Sequence, residues 1–405
     1  MLFVITLTGL ASFLGLAAFL LLSSAVELVY PHSGAGTDTG TDFVVAWGLG
    51  FSGLALLPAV LYSFQRMNGK AIRPFIARPI KVWQGLVLAV VWIGAILLSS
   101  FLDQNMALGW LAAAPFYAIS IGVPIVLLVW IGVGGIPLGS RNRFWGSLGI
   151  GMTVGPFLGT FLEFFVYMVI LAVLFFILAL NPDFLSILRH LGAQLHGQTD
   201  IDQIMQILAP YLVNPAVLSS LFLGLCVFTP LIEESVKPAV VWVMAKRLQT
   251  PAQGFALGAI SGAGFALVES LLAASTPGQG WGQLLAARAG GGLMHIFASG
   301  VMGWGIASAF QGKRLRLVGT YLVSVMIHGL WNGAAIIIEV GTLQSYLNGV
   351  TNPQSSDPYS IFGTAVLGLM VVLILPALIL INRKLRQPVP MVPSSPAQSD
   401  IIAPL

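Results

Sequence analysis

Stretches of about 20 apolar residues recur along the whole chain, and a helix of that length crosses the hydrocarbon core of a bilayer. In lipid only helices and closed barrels satisfy every backbone polar group. The runs are continuously apolar, without alternation of period two, so they select helices. Composition agrees with this. Of 405 residues 57% are hydrophobic and 8% charged, where a soluble domain carries about a quarter charged. Too little charge is left to coat a water-facing surface, and the expected fold is an all-α polytopic membrane protein. The single cysteine, Cys226, excludes a disulfide framework or a thiolate metal cluster within one chain.

Ten spans are expected, near 2–24, 43–64, 82–102, 107–132, 148–180, 216–245, 254–274, 289–310, 317–339 and 361–381. The first is longer than a signal-peptide core, no Lys or Arg precedes it, and it reads as a retained span. The loops alternate in charge. Arg66, Lys70, Arg73, Arg78 and Lys81, then Arg141 and Arg143, then Lys246 and Arg247, then Lys313, Arg314 and Arg316, then Arg383, Lys384 and Arg386 all fall on one side. The opposite loops hold only Arg189 and Arg288. The positive-inside rule predicts a multi-pass protein of the cell membrane with both termini in the cytoplasm.

Organisation follows from the spans. Residues 1–180 carry helices one to five, 181–215 an extracytoplasmic segment, 216–340 helices six to nine, 341–384 the last helix and 385–405 a tail. Apolar stripes at Phe184, Leu185, Leu188, Leu191 and Leu195, and at Ile201, Ile204, Ile207 and Leu208, predict two short interfacial helices in the outer segment, a connector or a lid. The tail is rich in Pro and Ser and is expected to be disordered. Spans one to five carry little chemistry apart from Glu163, which reads as a protonated carboxyl bonded to a neighbouring helix, because an unpaired carboxylate at that depth is costly.

The chemistry collects in spans six to nine. Glu233, Glu234 and Lys237 lie on the sixth, Glu269 on the seventh, His295 on the eighth, and His328 and Asn332 on the ninth. A lone Glu or His in a helix bundle is often interhelical glue, but ionisable groups in lipid mark function by default, and here four adjacent spans each supply them. Counting from the basic boundaries at 1.5 Å per residue, Glu233 lies roughly 20 Å deep, Glu269 about 22 Å, His328 about 18 Å and His295 about 27 Å. They share a level, so they can meet. Glu233 and Lys237 are four residues apart, on one helix face, as are His328 and Asn332. Pro230 and Pro238 bracket the glutamates and each frees a carbonyl four residues back, which predicts a kinked or opened helix there. Gly254, Gly258 and Gly262 form a small-residue ridge that permits close helix approach.

Two histidines and a carboxylate from separate helices can hold zinc with a position left for water. Such a site activates the water and polarises a carbonyl, while a nearby carboxylate takes the proton. The expected ligands are Glu269, His295 and His328. Glu233 or Glu234 is the general base, Asn332 a donor to the developing oxyanion, and Lys237 a charge partner for the glutamates.

At these residues the chain resembles the PrsW family of intramembrane proteases, within the wider clan of CAAX-processing and bacteriocin-processing (CPBP) glutamate-dependent membrane proteases. The shared pattern is EExxK at Glu233 to Lys237, FxxxE from Phe265 to Glu269, an isolated histidine at His295, and HxxxN from His328 to Asn332. Glu269 stands where the CAAX branch has a histidine, which favours the PrsW-like branch. The resemblance spans roughly residues 216–340. It implies a metal-dependent endopeptidase that cleaves a membrane-embedded or membrane-proximal protein or peptide by glutamate-assisted attack of metal-bound water, and it places the catalytic glutamate first in the pair, at Glu233. The implied partners are that substrate and the lipid bilayer; no nucleic acid is expected.

Other classes are weaker. No HExxH occurs, no span has a central Asp, and Ser299 in FASG lacks the glycine two residues before it that a rhomboid-like site would carry. A proton- or ion-coupled transporter also buries acids, but no repeated halves are visible. A non-catalytic scaffold is the third alternative, and hydrolysis would exclude it.

Overall fold

Each long apolar stretch folds as one helix, because in lipid the backbone of a spanning segment finds its partners only within itself. The computed structural model describes residues 1–30, 39–106, 108–198, 201–278, 280–348 and 357–386. Among them, ten helices are long and apolar enough to cross a membrane: α1 (Leu2–Val29), α2 (Thr39–Met67), α3 (Val82–Asn105), α4 (Gly109–Val133), α5 (Arg141–Ala179), α8 (Pro215–Arg247), α9 (Pro251–Ala273), α10 (Trp281–Phe310), α11 (Arg314–Leu347) and α12 (Pro358–Leu385). Two shorter helices, α6 (Phe184–Leu195) and α7 (Ile201–Leu212), lie between α5 and α8, and α7 packs against α11. The protein is an all-α polytopic membrane protein. The tail expected to be disordered lies outside the described residues, apart from its first two positions, Leu385 and Arg386.

Several boundaries depart from the sequence expectation, among them the end of α11 at Leu347 rather than near 339. α5 begins at Arg141 rather than near 148, and α10 at Trp281 rather than near 289. Hydropathy locates the stretch that tolerates lipid, whereas helical hydrogen bonding continues through polar residues beyond it. As a result Arg288, expected in a loop, sits inside α10. The strands β1 (Pro74–Ile76) and β2 (Pro137–Ser140), which pair antiparallel, were also not expected. They are too short for any periodicity to register, and prolines with a fixed φ hold such segments extended. The pair ties the α2–α3 connection to the α4–α5 connection. Asn382 of α12 joins the same end by donating to the carbonyls of Gly132 (2.8 Å) and Gly134 (3.1 Å). Three of the basic segments read from the sequence are thereby gathered at one end of the bundle.

α9 is the centre of the bundle. Of its most apolar window 89% is buried, the largest share among the ten. Its glycine ridge faces α10: a Cβ on Gly258 would collide with the carbonyl of Ser299, and one on Gly262 would lie 2.6 Å from that of His295. On another side Gly264 meets the Leu148 carbonyl of α5 in the same way. Backbone touches backbone on both sides, and this closeness brings side chains from α9 and α10 within reach of α8 and α11.

Candidate active site

α8 is the irregular helix of the site. It is regular over Pro215–Phe222, widens to a π turn over Leu223–Phe228, resumes over Thr229–Val236, breaks at Lys237 and Pro238, and continues over Ala239–Met244. Proline explains both departures. Pro230 has no N–H for the Cys226 carbonyl and its ring crowds that group, and a π turn makes the room. Pro238 releases the Glu234 carbonyl in the same way. Neighbouring helices take up exposed carbonyls near both sites. Asn332 Nδ2 of α11 donates to Leu225 O at 2.7 Å, and Ser261 Oγ of α9 to Lys237 O at 2.6 Å.

Lys237 is the hub. Its Nζ lies 2.8 Å from Glu233 Oε2 and 2.7 Å from Glu234 Oε1, 2.7 Å from His295 Nδ1 and 3.4 Å from His328 Nδ1. The side chain is wholly buried, and a buried ammonium is tolerated only when acceptors surround it. Glu234 Oε1 is also 2.9 Å from His328 Nδ1. The two imidazoles meet edge to face with centroids 5.1 Å apart. Phe265 packs against His295 and offers its face to Lys237 Nζ at 4.7 Å, a cation–π contact.

The glutamates of α8 have different surroundings. Glu234 is completely buried, whereas Glu233 shows 12% of its side chain to a cavity of about 380 Å³, whose wall also includes Glu163, Tyr167, Glu269, His328 and Asn332. Glu233 Oε2 lies 3.8 Å from His328 Nε2. Among the described residues, Glu233, His295 and His328 form the group whose potential ligand atoms all lie within 4.8 Å of one another. Glu269 reaches the cluster through His295, with Oε2 2.7 Å from Nε2, and its Oε1 is 2.9 Å from Arg288 Nη2. Direct contacts therefore join Glu233, Glu234, Lys237, Glu269, His295 and His328. Asn332 stands on the cavity wall with one amide hydrogen committed to the π turn.

The model of one protein family, described as PrsW family intramembrane metalloprotease, matches residues 164–381, more than half of the chain. The chain belongs to the PrsW family. No curated protein and no solved structure matches it. As a family member the chain is a membrane-embedded protease of the metalloprotease type, and α8 to α11, which carry the cluster, fall inside the matched segment.

One residue beside the cluster escaped the sequence reading, and a second has a cavity position that the reading did not assign. Arg288 was assigned to a loop, although it lies seven residues before His295 and so on the same face of a helix. Extending span eight by one residue would have included it. Glu163 makes the expected contact with a neighbouring helix, a side-chain hydrogen bond with Glu233 of α8, and it also lines the cavity. It stands one position before the matched segment, and depth alone could not show which way α5 turns it.

Proposed function

We propose that this protein is a zinc-dependent endopeptidase of the cell membrane that cleaves a membrane-embedded or membrane-proximal protein or peptide in the α5–α8–α11 cavity. The observation that carries this reading is the convergence of Glu233, Glu269, His295 and His328 from four helices, all but His295 on the wall of one cavity. The donors fit the metal: one carboxylate and two imidazoles are a common catalytic zinc set, and Glu233, His295 and His328 lie within 4.8 Å of one another. His295 and His328 would hold the ion, and Glu269, outside that trio but 2.7 Å from His295 Nε2, is the third donor of this reading. Glu233, whose carboxylate comes as near to the rings as a ligand would, is the base beside them. When bound, the ion supplies Lewis acidity toward water and toward a substrate carbonyl.

The side chains divide the remaining work. Glu233, on the cavity wall, takes a proton from the attacking water and returns it to the departing amine. Glu234, out of reach of the cavity, braces Lys237 and His328. Lys237 offsets the charge of both glutamates in a region where water cannot. The second amide hydrogen of Asn332 would donate to a developing oxyanion. Leu225, Ala335 and Ile336 give the wall an apolar share.

Metal analysis of detergent-purified protein, scored beside cleavage of a reconstituted substrate, tests the reading. Wild type is expected to retain zinc and to cleave, and His328→Ala to lose both; zinc-free wild type that still cleaves would sink the metal reading. If Glu233→Gln loses zinc while Glu269→Gln keeps it, the two glutamates exchange roles. The basic loops support a cytoplasmic position for both termini, and a reporter fused after Leu405 that appears outside would refute it.

A further inference from the structure

Arg288 takes no part in the chemistry described so far, yet it is built into the site. It is one of two cations assigned from the sequence to the poorly charged side of the bundle, and its side chain is 16% exposed. Its Nη2 lies 2.9 Å from Glu269 Oε1, and its Nε donates to Ser270 Oγ at 3.1 Å. One guanidinium thus grips two consecutive residues of α9. On α10 it stands two turns from His295 on the same face, and Glu269 bridges the pair: Oε1 to Arg288, Oε2 to His295 Nε2 at 2.7 Å.

A bare positive charge would neutralise Glu269 from many positions. Here the Nε bond to Ser270 Oγ fixes where the charge stands, and Nη2 makes an ion-pair contact with Oε1 at 2.9 Å rather than a hydrogen bond. With Oε1 taken, the remaining oxygen points toward the histidine. Glu269 itself has a side chain one-third exposed to the cavity, so packing alone does not hold it. We infer that Arg288 is a positioning residue, which holds the Glu269 carboxylate in the one orientation that presents Oε2 to His295 and to the cation site. The inference rests on the reading that Glu269 serves that site. Outer groups that orient ligands typically change metal affinity by about 10–100-fold when removed.

The test is a zinc titration of purified full-length protein against a competing chromophoric chelator. The variants are Arg288→Gln, Arg288→Lys, Glu269→Gln and the Arg288→Gln/Glu269→Gln pair. Arg288→Gln is expected to raise the zinc Kd about 10–100-fold, and Arg288→Lys, which keeps the charge without the Nε anchor on Ser270, to raise it by less. In the Glu269→Gln background Arg288→Gln should add nothing, because its effect passes through Glu269. Wild-type affinity in Arg288→Gln, or an undiminished effect in the Glu269→Gln background, overturns the inference. The thermal midpoints of the zinc-free proteins separate misfolding from loss of orientation, and Arg288→Lys keeps the test decisive if Arg288→Gln does not fold. Should wild type bind no zinc, the metal reading fails. The same cycle read in kcat/KM then decides Arg288 alone: non-additive losses support the inference, and multiplying losses overturn it.

Discussion

α3 and α9 are both spanning helices, yet they obey opposite rules. In α3 only 11% of the most apolar window is buried, against 89% in α9, although α3 is the more apolar of the two. Val82, Leu86, Val90 and Leu97 of α3 are exposed, and a Cβ on Gly94 would meet nothing within 4 Å. α9 instead carries glycines pressed against the α10 backbone and a glutamate bonded to a histidine and an arginine. Lipid is as apolar as leucine, so hydrophobicity does not decide which helix goes inside. Close packing of small residues and pairing of polar groups do. The same rule divides the chemistry: the cluster lies on the inner faces of α8 to α11, while α1 and α3 face outward with large aliphatic side chains.

The division would break most visibly at α8. Glu233→Gln is expected to lose about 10²–10⁴-fold in hydrolysis, the usual worth of a general base, while retaining metal and fold. Glu234→Gln should leave measurable turnover, because Glu234 does not reach the cavity. Cleavage of a reconstituted substrate by both variants checks this, and the reverse pattern would reassign the base.

Next in size is the hub. Lys237→Met leaves two carboxylates without their buried counter-charge and should cost about 3–5 kcal/mol of stability, read as a fall in the unfolding midpoint in detergent. Lys70→Met, at an exposed position in the α2–α3 connection, should leave that midpoint unchanged. Equal effects would mean that burial is not what ties Lys237 to the fold.

The smallest effect sets glycine against glycine. Gly258→Leu forces α9 from the Ser299 carbonyl and is expected to cost about 1–3 kcal/mol through overpacking. Gly94→Leu on α3 projects into open space and should stay within about 0.5 kcal/mol. Thermal scans of the two variants side by side sharpen the comparison, and a tolerated Gly258→Leu would show that the α9–α10 contact is looser than described.

Much of this was legible before any coordinate. Segment length and composition determined ten helices, because bilayer thickness and backbone satisfaction act on each stretch separately, whatever its neighbours do. Helical spacing placed Glu233 and Lys237 on one face, and the rise per residue put four polar levels at one depth. Pro230 and Pro238 marked where α8 would depart from regularity, since a missing N–H is a local fact. Tertiary structure alone decided which groups touch. The spacing reading grouped Glu269 with both imidazoles; the geometry brings Glu233 within 4.8 Å of both and puts Glu269 against His295 and Arg288. Rise and periodicity fix height and direction on a helix's own axis, but rotation of one helix against another, and the rotamer each side chain then adopts, come from packing. The glycines of α9 set that rotation by how closely two backbones meet, and no residue by itself carries that information.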